Sequence, residues 1–260
     1  MTLSKVTVTP DDATLIVAIT RPEVRNAVDN ETAEALAEAF RAFDADPAFK
    51  VAIFTGTGSC FCAGADLREM ASGARRKRWH ASADGPMGPT RLALSKPVIG
   101  AIEGYAVAGG FELALWCDLR VAADNAVFGV FNRRWGVPLM DGGTVRLPRL
   151  VGVGRALEIA MTGRPVPATE ALGIGLVNEL TSPGGALGRA KELAATLAAL
   201  PQDAMNLDRR SIHGQVGLTL KEAMDAEFRE SLAASGVESG ADRFVRGAGR
   251  HGVPVAEPQD

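Results

Sequence analysis

The sequence predicts an α/β fold on three observations. Residues 3–9 and 14–20 alternate apolar and polar side chains as half-buried strands do, and a helically spaced stretch follows them. Two later stretches, 51–70 and 97–118, each read as a strand, a turn of small residues and a helix. Beyond residue 142 the pattern is mostly helical, with Pro183-Gly184-Gly185 as the strongest internal break. That order divides the chain into an α/β core at 1–183 and a helical C-terminal region at 184–260.

Taken in order, Pro10-Asp11-Asp12 supplies the turn between the first two strands. Arg21 to Asn26 is a loop. Asp29 or Asn30 then caps a helix to about Phe43, with Ala33, Leu36, Ala37 and Phe40 at helical spacing. Residues 51–54 form a short buried strand. Residues 66 to about 78 read as a polar helix, whose cluster Arg75-Arg76-Lys77-Arg78 is a solvated face. The segment 82–89 holds Gly85, Pro86, Gly88 and Pro89 and is expected to be the most mobile loop. Short strands follow from Pro97, at 119–123 and at 127–130. Helices are expected at about 142–150, 154–162 and 168–172, and a strand at 176–180. The C-terminal helices fall at about 186–199, 202–212, 218–234 and 239–247, and the tail HGVPVAEPQD is expected to fray.

Composition excludes several function classes. The formal net charge is −3, so bulk electrostatics favour neither nucleic acid nor an anionic membrane. No apolar run is long enough to span a bilayer, and MTLSKVTVTP lacks the basic and apolar regions of a signal peptide. The three cysteines, Cys60, Cys62 and Cys117, form no disulfide framework and read as reduced thiols of a cytoplasmic protein. The three histidines are scattered, so no metal site is expected. Gly56-x-Gly58 and Gly152-x-Gly154 lack the third glycine of a dinucleotide fingerprint, and no phosphate-binding P-loop or G-x-S-x-G elbow is present.

The chemistry concentrates in the two strand–turn–helix stretches. In 97–118 the Gly109-Gly110 pair opens a helix that carries Glu112 among Phe111, Leu113 and Leu115. A helix N-terminus presents unpaired N–H groups and a partial positive charge, and glycine lets a carbonyl approach them. A carboxyl flanked by large apolar residues favours its neutral form, which suits an acid/base. The stretch Ser59-Cys60-Phe61-Cys62-Ala63-Gly64-Ala65-Asp66 also opens a helix through small residues. Two such junctions can aim two N–H groups at one oxygen that gains charge during reaction.

With both stretches in hand, the sequence resembles the crotonase family, also called the enoyl-CoA hydratase/isomerase family. The segments that carry the resemblance are R-P-E-V-R-N-A (21–27), F-C-A-G-A-D-L-R-E-M (61–70), K-P-V-I-G-A-I-E-G-Y-A-V-A-G-G-F-E-L-A-L-W-C-D (96–118), G-G-T-V-R-L-P (142–148) and A-L-G-I-G-L-V-N-E (171–179). They stand in the family's order across nearly the whole chain. The resemblance implies a crotonase-like spiral of ββα units, with a helical C-terminus that builds homotrimers or dimers of trimers. It implies an acyl-CoA thioester substrate, with Ala65 and Gly109 as the oxyanion-hole donors. Coenzyme A would be part of the substrate rather than a cofactor. It would pass Val24, Arg25 and Asn26, and then Ala63, Ala65, Asp66 and Leu67. Arg68 falls where the family often has a basic residue near the CoA phosphates; an exposed helix charge is the other reading.

Glu112 matches one of two glutamates that the family's hydratases use. The second is expected in a segment usually read F-G-x-P-E, which here is Phe128-Gly129-Val130-Phe131-Asn132. Asn132 can hold water or substrate by hydrogen bonds but exchanges no proton at neutral pH. Asp141 carries two readings, a second acid/base or an N-cap of the helix at 142–150, and the cap is slightly favoured. Arg133, Arg134 and Trp135 carry two readings, contact with a polar substrate tail or a salt-bridged interface, and the interface is favoured. The resulting expectation is an enoyl-CoA hydratase/isomerase acting on 2-enoyl-CoA or a related thioester. The alternatives are a hydrolase, dehalogenase or C–C lyase relative that uses Asp141, and a non-catalytic acyl-CoA binding protein.

Overall fold

The computed structural model describes residues 4–73, 79–80 and 83–247. Nine strands occur among them: β1 (Val6–Asp11), β2 (Thr14–Ile19), β3 (Val51–Gly56), β4 (Val98–Ile102), β5 (Tyr105–Val107), β6 (Leu119–Ala123), β7 (Val127–Gly129), β8 (Val166–Pro167) and β9 (Glu179–Thr181). The helices of the first half are α1 (Asn30–Ala45), α2 (Leu67–Ala71) and α3 (Gly109–Trp116). Then come α4 (Gly143–Val151), α5 (Val153–Thr162) and α6 (Ala168–Gly173), and finally α7 (Ala186–Ala198), α8 (Gln202–Gly214), α9 (Leu220–Ser231) and α10 (Val237–Val245).

The larger sheet has the order β1-β2-β3-β4-β6-β9, and the smaller one β5-β7-β8. Only the β1–β2 pair of the larger sheet is antiparallel; its other pairs are parallel. A parallel sheet needs both faces covered, and β2 and β3 are accordingly buried along their whole length. One face receives α1 through Leu36, Phe40 and Phe43. There Phe40 meets Phe54 edge-on at 5.3 Å, and Phe54 meets Phe61 at 5.2 Å. The opposite face receives α7, whose Ala186, Ala190 and Ala194 recur every fourth residue and pack on Ile16, Val51, Ile53 and Ile99. Small side chains at that spacing let the helix lie close to the strands.

Asp29 caps α1 by accepting the Thr32 N–H at 2.8 Å. By contrast α9 presents Leu220, Met224, Phe228 and the adjoining Leu232 as an exposed apolar stripe, each at least 58% accessible. A stripe of that length is unusual on a face meant for water.

Several elements depart from expectation. β1 runs through Pro10 and Asp11, and the turn falls one step later at Asp12, whose φ is 50°. The helix from residue 66 ends at Ala71, and the Arg75-Arg76-Lys77-Arg78 cluster lies outside the described residues, as does the tail. The strand expected at 176–180 is observed at 179–181, because the Leu176 and Val177 N–H groups donate to the Ala171 carbonyl and close the turn after α6. Of the segment 82–89, expected to be most mobile, residue 82 lies outside the described residues, while Gly85, Met87, Gly88 and Pro89 are buried and a short 3-10 helix starts at Pro89.

Candidate active site

The site forms where the two strand–helix junctions meet. Phe61 and Cys62 pair with the 103–107 segment, so that the Phe61 N–H donates to the Glu103 carbonyl at 2.7 Å and the Val107 N–H to the Cys62 carbonyl at 3.1 Å. Gly64 then lies against the start of α3: a Cβ there would stand 3.0 Å from the Gly109 nitrogen and 2.8 Å from the Ala108 Cβ. Gly110 presses on the Cys62 carbonyl so closely that a side chain would overlap its oxygen. Two glycines thus bring Ala65 and Gly109 to one wall of a cavity of about 420 Å³. Among the described residues neither N–H has a hydrogen-bond acceptor. Ala108, just before α3, holds φ 54° and ψ −125°, a conformation costly for a non-glycine residue and common at functional sites.

Glu112 sits one turn into α3 and is 3% exposed. Its Oε1 accepts the N–H groups of Asp141 and Gly143, both at 2.8 Å. The carboxyl therefore stands at the N-terminus of α4, and a Cβ on Gly143 would come within 2.9 Å of it. Burial pushes the Glu112 carboxyl up, and the charge of Asp141 adds to this; the surrounding N–H donors pull the other way. The outcome is a group at about 7. Such a carboxyl changes its protonation readily near neutral pH.

Asp141 is 4% exposed and lines the same cavity. Its expected role as the N-cap of α4 is corrected: the cap position is Gly142, with φ 90° and no side-chain cap bond. The Asp141 side chain turns the other way, and Oδ1 accepts the Met87 N–H at 2.9 Å and the Thr90 hydroxyl at 2.5 Å.

Asn132 also lines the cavity and is 8% exposed. Its Nδ2 donates to the Val137 carbonyl at 2.7 Å and closes the 132–137 turn, while Oδ1 is buried with no partner. Within the chain its neighbours make other contacts than ion pairs. Arg134 lies 4.2 Å above the Phe131 ring, Arg133 donates to the Ala160 carbonyl, and Arg134 and Trp135 line the cavity.

Of the residues expected along coenzyme A, Arg25, Ala63, Ala65 and Leu67 line the cavity. Asn26 is fully buried, accepts from Arg21 N–H and donates to the Thr57 and Cys60 carbonyls; its side chain is a staple between loops. Asp66 caps α2 through the Arg68 N–H and pairs with Arg21 at 3.1 Å. Val24 ends the 3-10 turn Pro22–Val24, and Arg68 is exposed on α2. The residues that sequence reasoning missed are Thr90, Met87 and Arg146. Arg146 donates to the carbonyls of Asp141 at 2.9 Å and Thr90 at 2.7 Å. Its motif G-G-T-V-R-L-P is distinctive, but nothing in the spacing indicates the partner fifty-six residues upstream.

Fold and site together define an α/β protein in which two residues with unpaired backbone N–H groups and a buried carboxyl at about 7 line one cavity. The enoyl-CoA hydratase/isomerase family model matches residues 11–246, and the chain belongs to that family. It is 34% identical over 242 residues to the mevalonyl-coenzyme A hydratase sidH of Aspergillus fumigatus, covering 91% of this chain and 90% of that one. It is 37% identical over 217 residues to the crotonyl-CoA hydratase of Syntrophomonas wolfei, covering 82% of each. Among solved structures, an enoyl-CoA hydratase from Mycobacterium tuberculosis superposes with a TM-score of 0.88 at 36% identity, covering 94% of this chain and 96% of that one. The crotonase-type α/β fold expected from the sequence is thereby shown.

Proposed function

We propose that the protein is an acyl-CoA enzyme that stabilises a thioester enolate, acting as an enoyl-CoA hydratase on 2-enoyl-CoA or a related thioester. The observation that carries this reading is Glu112: a buried carboxyl at about 7, one turn beyond the Gly109 N–H, on the wall of a single cavity. The thioester oxygen would lie between the N–H groups of Ala65 and Gly109, where negative charge develops. One such donor is typically worth about 3 kcal/mol in the transition state. Glu112 is the acid/base at the α-carbon. Asn132 supplies no proton, and its amide N–H is engaged by Val137. Asp141 is therefore the second acid/base, paired with Glu112 so that one takes the proton of water while the other delivers one to carbon.

Arg25, Ala63 and Leu67 mark the path of coenzyme A. The exposed stripe on α9 supports self-association, as a trimer or dimer of trimers. The three cysteines are buried free thiols, which supports a reducing, cytoplasmic setting. A second reading follows from Asp141 lining the cavity: attack by Asp141 or a base role in hydrolysis or C–C cleavage of an acyl-CoA. Incubation of crotonyl-CoA with the wild type and Glu112→Gln tests the first reading. It expects 3-hydroxyacyl-CoA from the wild type and at least a 100-fold lower rate from the variant. Release of free coenzyme A in place of hydration would favour the second reading, and equal hydration by both proteins would remove Glu112 from the mechanism.

A further inference from the structure

The segment 85–90 is folded onto the Asp141 carboxylate. Thr90, 1% exposed, gives its hydroxyl to Oδ1 at 2.5 Å, and the Met87 N–H reaches the same atom. Gly85 makes room for this: a Cβ there would overlap the Thr90 hydroxyl and stand 2.5 Å from Asp141 Oδ1. Arg146 ties the two backbones together by donating to both their carbonyls. Asp141 in turn gives its own N–H to Glu112 Oε1. A continuous chain of hydrogen bonds therefore runs from Thr90 through Asp141 to Glu112, spanning three segments of the chain.

We propose that Thr90 is a positioning residue: its hydroxyl fixes the Asp141 carboxylate on the wall of the cavity that Glu112 also lines, and thereby sets the pH range over which the site works. This rests on the reading of Glu112 and Asp141 as the two acid/base groups. A hydroxyl beside a carboxylate donates to it, and donation to the ionised form favours that form. Among the described residues, the half-buried Arg146 on α4 is a cation whose charge acts on both carboxyls, with Arg149 beyond it, and Glu112 is the acid on α3. Cys117, at the end of α3, is pushed up to about 12 by burial and stays neutral over the working range. The charge of Asp141 acts on Glu112, so a change at one carboxyl is felt at the other.

The test compares kcat/KM against pH for the wild type, Thr90→Val and Thr90→Ser with crotonyl-CoA. The carboxyl carbon of Asp141 is titrated by NMR in the same three proteins. Thr90→Val loses the donor, so Asp141 binds its proton more readily and the acid limb moves up by about one pH unit. Thr90→Ser keeps the hydroxyl, and its limb stays with the wild type. In an Asp141→Asn background, Thr90→Val should leave the remaining profile in place, which a packing defect alone would not do. An acid limb and an Asp141 titration unchanged in Thr90→Val would overturn the proposal. Absence of turnover in the wild type would instead overturn the functional reading, and the Asp141 titration would then decide Thr90 by itself.

Discussion

Glu112 ties the proposed chemistry to a measurable cost in stability. In the folded protein its carboxyl is raised from 4.5 to about 7, first by burial and then by the charge of Asp141. A group that holds its proton more tightly when folded favours the folded state fully below about 4.5. That advantage is lost as the pH rises through about 7. The difference between the two ends corresponds to about 3 kcal/mol, as an order of magnitude. Glu112→Gln keeps an oxygen for the Asp141 and Gly143 N–H groups but never ionises. Its stability relative to the wild type should therefore rise between pH 5 and pH 8 by about 2–3 kcal/mol, while its activity falls. Urea unfolding of both proteins at the two pH values measures this. Parallel pH dependences would refute the reasoning, because Glu112 would then be no less comfortable charged inside the fold than outside it.

Two further outcomes follow from the scaffold. Gly110→Ala places a methyl on the Cys62 carbonyl oxygen, so α3 must move away from the 59–66 segment. A loss of about 1–3 kcal/mol is expected, with a fall in kcat as Ala65 and Gly109 separate, checked by thermal unfolding and steady-state kinetics. Asp29→Ala removes the α1 cap and should cost about 1 kcal/mol near neutral pH. Burial pushes the Asp29 carboxyl up, but hydrogen bonds from Lys5 and Thr32 with the charge of Arg21 outweigh it and hold it at about 2. The difference between variant and wild type, full above about pH 4, should shrink as the pH falls toward 2, which unfolding at graded acid pH follows.

Much of this was legible in the sequence wherever one stretch carries its own signal. α1 and its Asp29 cap, the buried β3, and the Gly109-Gly110 opening of α3 all express local periodicity or turn chemistry. The raised carboxyl of Glu112 was foreseen from its apolar flanks, although the charge of Asp141 adds a cause that those flanks do not contain. What escaped depends on contacts distant along the chain. Thr90 and Asp141 are fifty-one residues apart, and the segment between Gly85 and Thr90 looks like a free loop until the carboxylate that anchors it is known. Asp141 resembled a helix cap by position alone, whereas Gly142 turns the chain at positive φ and redirects the side chain. β5 and β8, three and two residues long, are too short to show an alternation at all.

The most direct test of the central claim uses a saturated acyl-CoA, which can neither add water nor move a double bond. In heavy water, stabilisation of the thioester enolate by the Ala65 and Gly109 N–H groups, with Glu112 moving the proton, should place deuterium on the α-carbon of butyryl-CoA, as followed by NMR. The account predicts exchange with the wild type and at least 100-fold slower exchange with Glu112→Gln. Saturating binding of butyryl-CoA to the wild type with no α-exchange would contradict it.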